Sequence, residues 1–229
     1  MDEDDDVVEI VPADSAACRP DLYAARTRLR DPEGQRYDFW GLYCERDLQP
    51  GDFIGMYAGM WLHRSRAFPF GNRYAVELSH GMTVAPPGQR PDPRRYPIAM
   101  ANEPRPGERA NAVLHEWVLG RDDVAQPPPD QSVFFGVGLV ACAAIPRQTE
   151  ICWHYGPSYQ ALRDYPVGEA CTVTDVRHPT QALGHPLPND AVSPWVDTPS
   201  ASSDSDDDPS YGGGLLARLL VRRSRGLEG

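Results

Sequence analysis

Between Tyr37 and Tyr159, apolar residues never keep a helical period for the roughly 12 residues that an amphipathic helix needs. They come instead in short clusters, each cut off by Gly, Pro, Asn or Asp. Seven stretches read as strands: Phe39–Glu45, Phe53–Tyr57, Arg73–Leu78, Met82–Ala85, Ala112–Leu119, Val133–Ala143 and Glu150–Trp153. The 24 prolines and 20 glycines of this 229-residue chain supply much of the punctuation. Proline lacks the donor that a central strand must give, so Ala85–Pro97 and Gln126–Gln131 read as loops. The pattern predicts a mainly β domain of many short strands.

Charge divides the chain into three. Residues 1–35 hold 10 acidic side chains against 4 Arg, residues 166–229 hold 9 against 5, and the middle holds 14 against 13. The formal charge of −11 therefore resides in the ends. Residues 1–35 read as an acidic N-terminal extension, its first 20 or so residues disordered. The polar, Pro/Ser/Asp-rich stretch 169–229 reads as a disordered tail closed by a short basic segment, LLARLLVRRSR. Between them, 36–168 is the folded domain. An acidic periphery disfavours DNA phosphates and suits a basic protein partner. All 22 basic residues are Arg, a composition that suits a GC-rich genome.

Cys18, Cys44, Cys142, Cys152 and Cys171 are an odd number, widely spaced, with no CxxC pair. That spacing argues against a disulfide framework and a zinc cluster, and for a reducing interior. His63, His80, His115 and His154 lack metal-ligand spacing, so no metal is expected. No apolar run approaches a membrane span, and the acidic start MDEDDD is unlike a signal peptide.

Three segments carry chemistry. The first runs from Trp40-Gly41-Leu42-Tyr43, through the turn Asp47-Leu48-Gln49-Pro50-Gly51, into Phe53-Ile54-Gly55-Met56-Tyr57-Ala58-Gly59. A glycine such as Gly41 lets a ligand approach the main chain closely. The second pairs Asn102-Glu103-Pro104 with Asn111-Ala112-Val113. The third is the unbroken run Val140–Gly156, with Glu150-Ile151 followed by Trp153-His154-Tyr155-Gly156. In this order, the three resemble the SET domain family of protein-lysine methyltransferases, in a compact form with little between Trp61 and Arg73. Five positions depart from the family pattern: Phe39 and Gln148 stand where Gly is common, Glu103 replaces a His, Thr149 a Glu, and His154 an Asp.

The resemblance implies a SET (β-clip) fold of short curved sheets, whose C-terminal strand threads under a loop as a pseudoknot. That threading would bring Asn102 to Tyr155, 53 positions later. It implies S-adenosylmethionine as cofactor, held by Gly41, Leu42, Tyr43, Asn102 and Glu103. It also implies Tyr155 as the catalytic residue, with Tyr74 and Trp153 as walls of a substrate channel. A tryptophan at 153 would limit how many methyl groups the channel accepts. The family's zinc-binding cysteines after the Tyr-Gly pair are missing, so Tyr159, Tyr165 or a partner chain would close the channel. The expected substrate is a lysine in a basic protein, a histone tail foremost, in an intracellular and preferentially nuclear setting; a homodimer is compatible. A chain without Lys could not methylate itself. The alternative is an inactive SET-fold scaffold that binds peptides.

Overall fold

The computed structural model describes residues 9–26, 40–63, 74–79, 81–156 and 168–193. These residues form small antiparallel sheets and very little helix. Strands β1 (Ile10–Pro12), β2 (Leu22–Arg26) and β3 (Trp40–Cys44) make the first sheet, in that order. The second sheet is ordered β4 (Phe53–Met56), β9 (Val133–Ala141), β8 (Ala112–Gly120). The third is ordered β5 (Met60–His63), β7 (Met82–Ala85), β6 (Val76–Glu77). A five-residue helix, α1 (Pro179–Leu183), is the only α-helix among the described residues, and none of their helices is long and apolar enough to cross a membrane.

The second sheet lies between two cores. Its longest ladder runs from Ala112 opposite Ala141 to Gly120 opposite Val133. Side chains alternate along β9, so Val137, Leu139 and Ala141 enter one core while Phe134 and Val140 enter the other. A strand buried on both faces needs a near-continuous apolar run, and VFFGVGLVA is one. The first core joins all three sheets through Leu22, Leu42, Ile54, Val84 and Ile151.

Expected and observed strands coincide at Met82–Ala85 and differ by two residues or fewer at β3, β4, β8 and β9. The stretch 73–78 shortens to Val76–Glu77, its first residue lying outside the described ones. Residues 150–153 form isolated bridges instead of a regular strand: Ile151 to Leu42, Cys152 to Asn102 and Trp153 to Ala112.

The described parts of both flanks, residues 9–26 and 169–193, differ from expectation, while 1–8 and the basic segment LLARLLVRRSR lie outside the described residues. Strands β1 and β2 come from the acidic extension and pair onto β3, because Leu22 and Ala24 complete the first core. In the stretch read as a disordered tail, residues 169–193 pack on the domain. Leu187, Ala191 and Val192 bury themselves against Phe53, Trp117 and Phe134 on the outer side of the second sheet. Backbone bonds seat them: Leu187 N–H to Asp123 O at 2.7 Å, Ala125 N–H to Leu187 O at 2.8 Å, and Ser193 N–H to Phe135 O at 2.7 Å. A few apolar residues in a polar segment suffice when a prebuilt apolar face awaits them.

The cysteines also depart from expectation. Cys142 and Cys171 form a disulfide, with Cα atoms 6.2 Å apart. Sequence spacing hides this because 168–171 returns beside residues 104–112 only in three dimensions. Cys18, Cys44 and Cys152 are free and buried.

Candidate functional site

Two asparagines organise the site. Asn111 clamps the returning segment: its side-chain N–H donates to Glu150 O at 2.8 Å, and its Oδ1 accepts Cys152 N–H at 2.8 Å. Main-chain bonds reinforce this, with Asn111 and Ala112 N–H both 3.0 Å from Cys152 O. Nine residues earlier, Asn102 O accepts Trp153 N–H at 2.9 Å. With residues 150–153 held in register, side chains alternate, and Ile151, Trp153 and Tyr155 all turn toward the first core.

Trp153 and Tyr155 meet there with ring centroids 4.8 Å apart. Together with Tyr57, Tyr74, Ile98, Ala99 and Ala101 they line a cavity of about 20 Å³. That is little more than the roughly 10–15 Å³ that one water-sized sphere requires. The Tyr155 hydroxyl donates to Ala101 O at 2.8 Å, and the Tyr57 hydroxyl to Tyr74 O at 2.6 Å. Complete burial pushes the Tyr57 phenol well above its ordinary range, so it stays protonated.

Tyr57 was not singled out in the sequence, and β4 explains why. Strict alternation would put Tyr57 on the same side as Phe53. A register shift between Phe53 and Gly55 breaks the alternation, as a bulge does. Phe53 and Met56 then face the second core, while Ile54 and Tyr57 face the first. The Tyr-Ala-Gly ending of the segment was the signal that could have found it.

On the other side of the 150–155 segment the chemistry is polar. Glu150 accepts from the Asn102 side-chain amide at 2.7 Å and from the Tyr43 hydroxyl at 3.2 Å. The same Asn102 nitrogen donates to Trp40 O at 3.0 Å. Gly41 makes room for this cluster, since a Cβ there would stand 2.7 Å from Glu150 Oε1. Glu103 Oε1 accepts Tyr155 N–H at 2.9 Å, linking the polar side to the cavity side.

The sequence-derived residues thus fall into two groups. Tyr74, Trp153 and Tyr155 line one cavity. Gly41, Tyr43 and Asn102 surround Glu150, a residue that the sequence marks only as part of a motif, and Glu103 bonds to Tyr155 beside them. Leu42 stands apart: it is fully buried in the first core, and its carbonyl accepts Ile151 N–H at 2.8 Å. Phe39, Tyr159 and Tyr165 lie outside the described residues. Gln148 takes the left-handed backbone conformation that a glycine adopts more readily, with φ 61°.

Two carboxylates and the carbonyls of Trp40 and Ala101 make this an acceptor-rich set, chemically suited to a positively charged ligand group. Among the described residues, no three His, Cys, Asp or Glu are placed to hold a metal ion. His115 packs edge-on against Trp117 at 4.7 Å, and burial lowers its pKa. His154 Nδ1 accepts Gly156 N–H at 3.0 Å. No family model matches the chain, and no curated protein matches it.

Proposed function

We propose that this chain is a SET-type protein-lysine methyltransferase, using S-adenosylmethionine to modify a lysine in a basic protein segment such as a histone tail. One observation carries the reading. Tyr155 and the Asn102–Glu103 loop, distant in sequence, meet where a one-methyl-sized aromatic cavity adjoins an acceptor-rich polar cluster. Methyl transfer to an amine asks for little covalent help from a protein. It needs a neutral amine, alignment and exclusion of water.

The residues can supply each requirement. Tyr57, Tyr74, Trp153 and Tyr155 would enclose the lysine tip, and desolvation in such walls lowers an amine pKa, favouring loss of its proton. The faces of the rings also suit an alkylated ammonium. The carbonyl oxygen of Ala101, a residue lining the cavity, would take part in weak C–H···O contacts that align the reacting carbon. S-adenosylmethionine, when bound, supplies a methyl group on a cationic sulfur. The main chain at Gly41, with Asn102, Glu103 and Glu150, would hold its charged amino-acid end. The acidic residues near both termini suit attraction of a basic peptide.

Incubation with core histones and isotope-labelled cofactor, followed by mass spectrometry of the modified peptides, tests the reading. Labelled lysine is the expected result. A folded protein that labels no lysine in histones or a total-protein extract would refute it.

A second reading, an inactive SET-fold module that binds peptides, draws on Asn102, whose amide nitrogen already donates to both Trp40 O and Glu150. Calorimetry separates the two. No heat of binding at millimolar cofactor would favour the module.

A further inference from the structure

We propose that the Cys142–Cys171 disulfide is a redox-operated strap that holds residues 168–171 across the loop carrying Asn102 and Asn111. The inference does not rest on the methyl-transfer reading. Cys142 follows β9 directly, and its N–H donates to Asn111 O at 2.9 Å. Its sulfur lies 3.6 Å from Ala110 O, while the Cys171 sulfur lies 3.5 Å from Ala112 O. The S–S bond therefore sits against the main chain at 110–112, around the residue that clamps Glu150 and Cys152.

What the bond holds is slight by itself. Gly168 N–H donates to Pro104 O at 3.2 Å, Glu169 N–H to Glu108 O at 2.9 Å, and Ala110 N–H to Glu169 O at 2.8 Å. Even a complete two-stranded hairpin is marginal in water, and this pairing is shorter. Its backbones are close enough that a Cβ at Gly168 would stand 2.7 Å from Arg105 O. Among the described residues, three backbone hydrogen bonds besides the covalent link join residues 168 and 169 to a loop whose Arg105, Glu108 and Arg109 are exposed.

Redox chemistry among the five cysteines is confined to this pair. Cys18, Cys44 and Cys152 are buried; desolvation pushes the first two thiols up to about 12 and raises the third as well, so each stays a poor nucleophile. Cys142 is half-buried while Cys171 is buried, so attack by a small thiol is assigned to the Cys142 sulfur. A thiolate of a glutathione-like pool attacks it, the protein S–S bond breaks, and the Cys171 thiolate leaves and takes a proton. A second small thiol then displaces the first from Cys142, which is protonated in turn, and the two small thiols depart as their own disulfide. Two electrons enter the protein, and two are lost by the thiol pool.

Thiol counting combined with hydrogen exchange tests the strap on the full chain. Equilibrated with oxidised glutathione and alkylated in denaturant, the protein should show three free thiols; after dithiothreitol, five. On reduction, the Ala110 and Glu169 amides should exchange at least tenfold faster, while Leu119 and Phe134, paired within β8 and β9, stay within twofold. A Cys142→Ser/Cys171→Ser variant should match the reduced protein and ignore dithiothreitol. If that variant does not fold, reduction of the unaltered chain still gives the answer. Five thiols under oxidising conditions would overturn the proposal. So would unchanged exchange at Ala110 and Glu169, or acceleration throughout the molecule, which would make the bond a global staple.

Discussion

On one side of residues 150–155, Trp153 and Tyr155 help enclose a space of about 20 Å³ lined mainly by rings and apolar side chains. On the other, Glu150 receives an amide and a phenol beside a glycine that leaves it room. The two environments share one stretch of backbone, residues 150–155. A reaction between a cationic donor and an amine gains from this arrangement. Under the proposed methyl transfer, acceptors of the polar cluster would hold the donor's charged end, while the amine would lose water in the apolar cavity. One clamp, Asn111, keeps both in register.

The sharpest way to break the comparison is to remove the hydroxyl at its junction. Tyr155→Phe keeps the ring and loses the donor to Ala101 O. Losing one positioned polar group at a reacting centre costs on the order of 10²–10³ in rate. Histone labelling should fall by that factor with cofactor affinity unchanged by calorimetry, and full activity would remove Tyr155 from the mechanism. Leu187→Ala probes the opposite face of the second sheet. Truncating a fully buried Leu costs about 2–5 kcal/mol, so the denaturation midpoint should drop clearly. An unchanged midpoint would mean that residues 186–193 do not pack there.

Next in size is Asn111→Ala. It leaves Glu150 O and Cys152 N–H without their side-chain partner, at about 1–3 kcal/mol for each buried group left unmet. Chemical denaturation should register that loss, and activity should fall with it because both environments lose register together. Trp153→Phe is the mildest. It enlarges the cavity without unpairing a polar group, so stability should change little while the product shifts toward more methyl groups per lysine. An unchanged methylation state by mass spectrometry would release Trp153 from that role.

Much of this was legible in the residues. Short apolar runs between turn residues predicted strands close to those at β3, β4, β7, β8 and β9, because half-buried and buried strands leave a local signature. The resemblance set Tyr155, Trp153 and Tyr74 in one group and Gly41, Leu42, Tyr43, Asn102 and Glu103 in another, of which Leu42 lies in the core instead. Other features left no such trace. Tyr57 depends on a bulge whose extra residue has no signature in FIGMY. Leu187 and Val192 sit in a polar stretch, and their burial depends on a face built by Phe53, Trp117 and Phe134 far away in the chain. The pairing of Cys142 with Cys171 likewise waits on residues 168–169 returning beside 108–110.

By itself, then, the sequence determined the mainly β character, the strand-by-strand alternation and the residue types available for chemistry, since these follow from local periodicity and side-chain identity. Tertiary structure alone decided that Glu150 sits at the centre of the polar cluster, that Tyr57 joins the cavity, that residues 9–26 and 169–193 are built into the domain, and that two of five cysteines meet. Those outcomes depend on contacts between segments dozens of residues apart, and no local pattern encodes which distant surface a side chain will find.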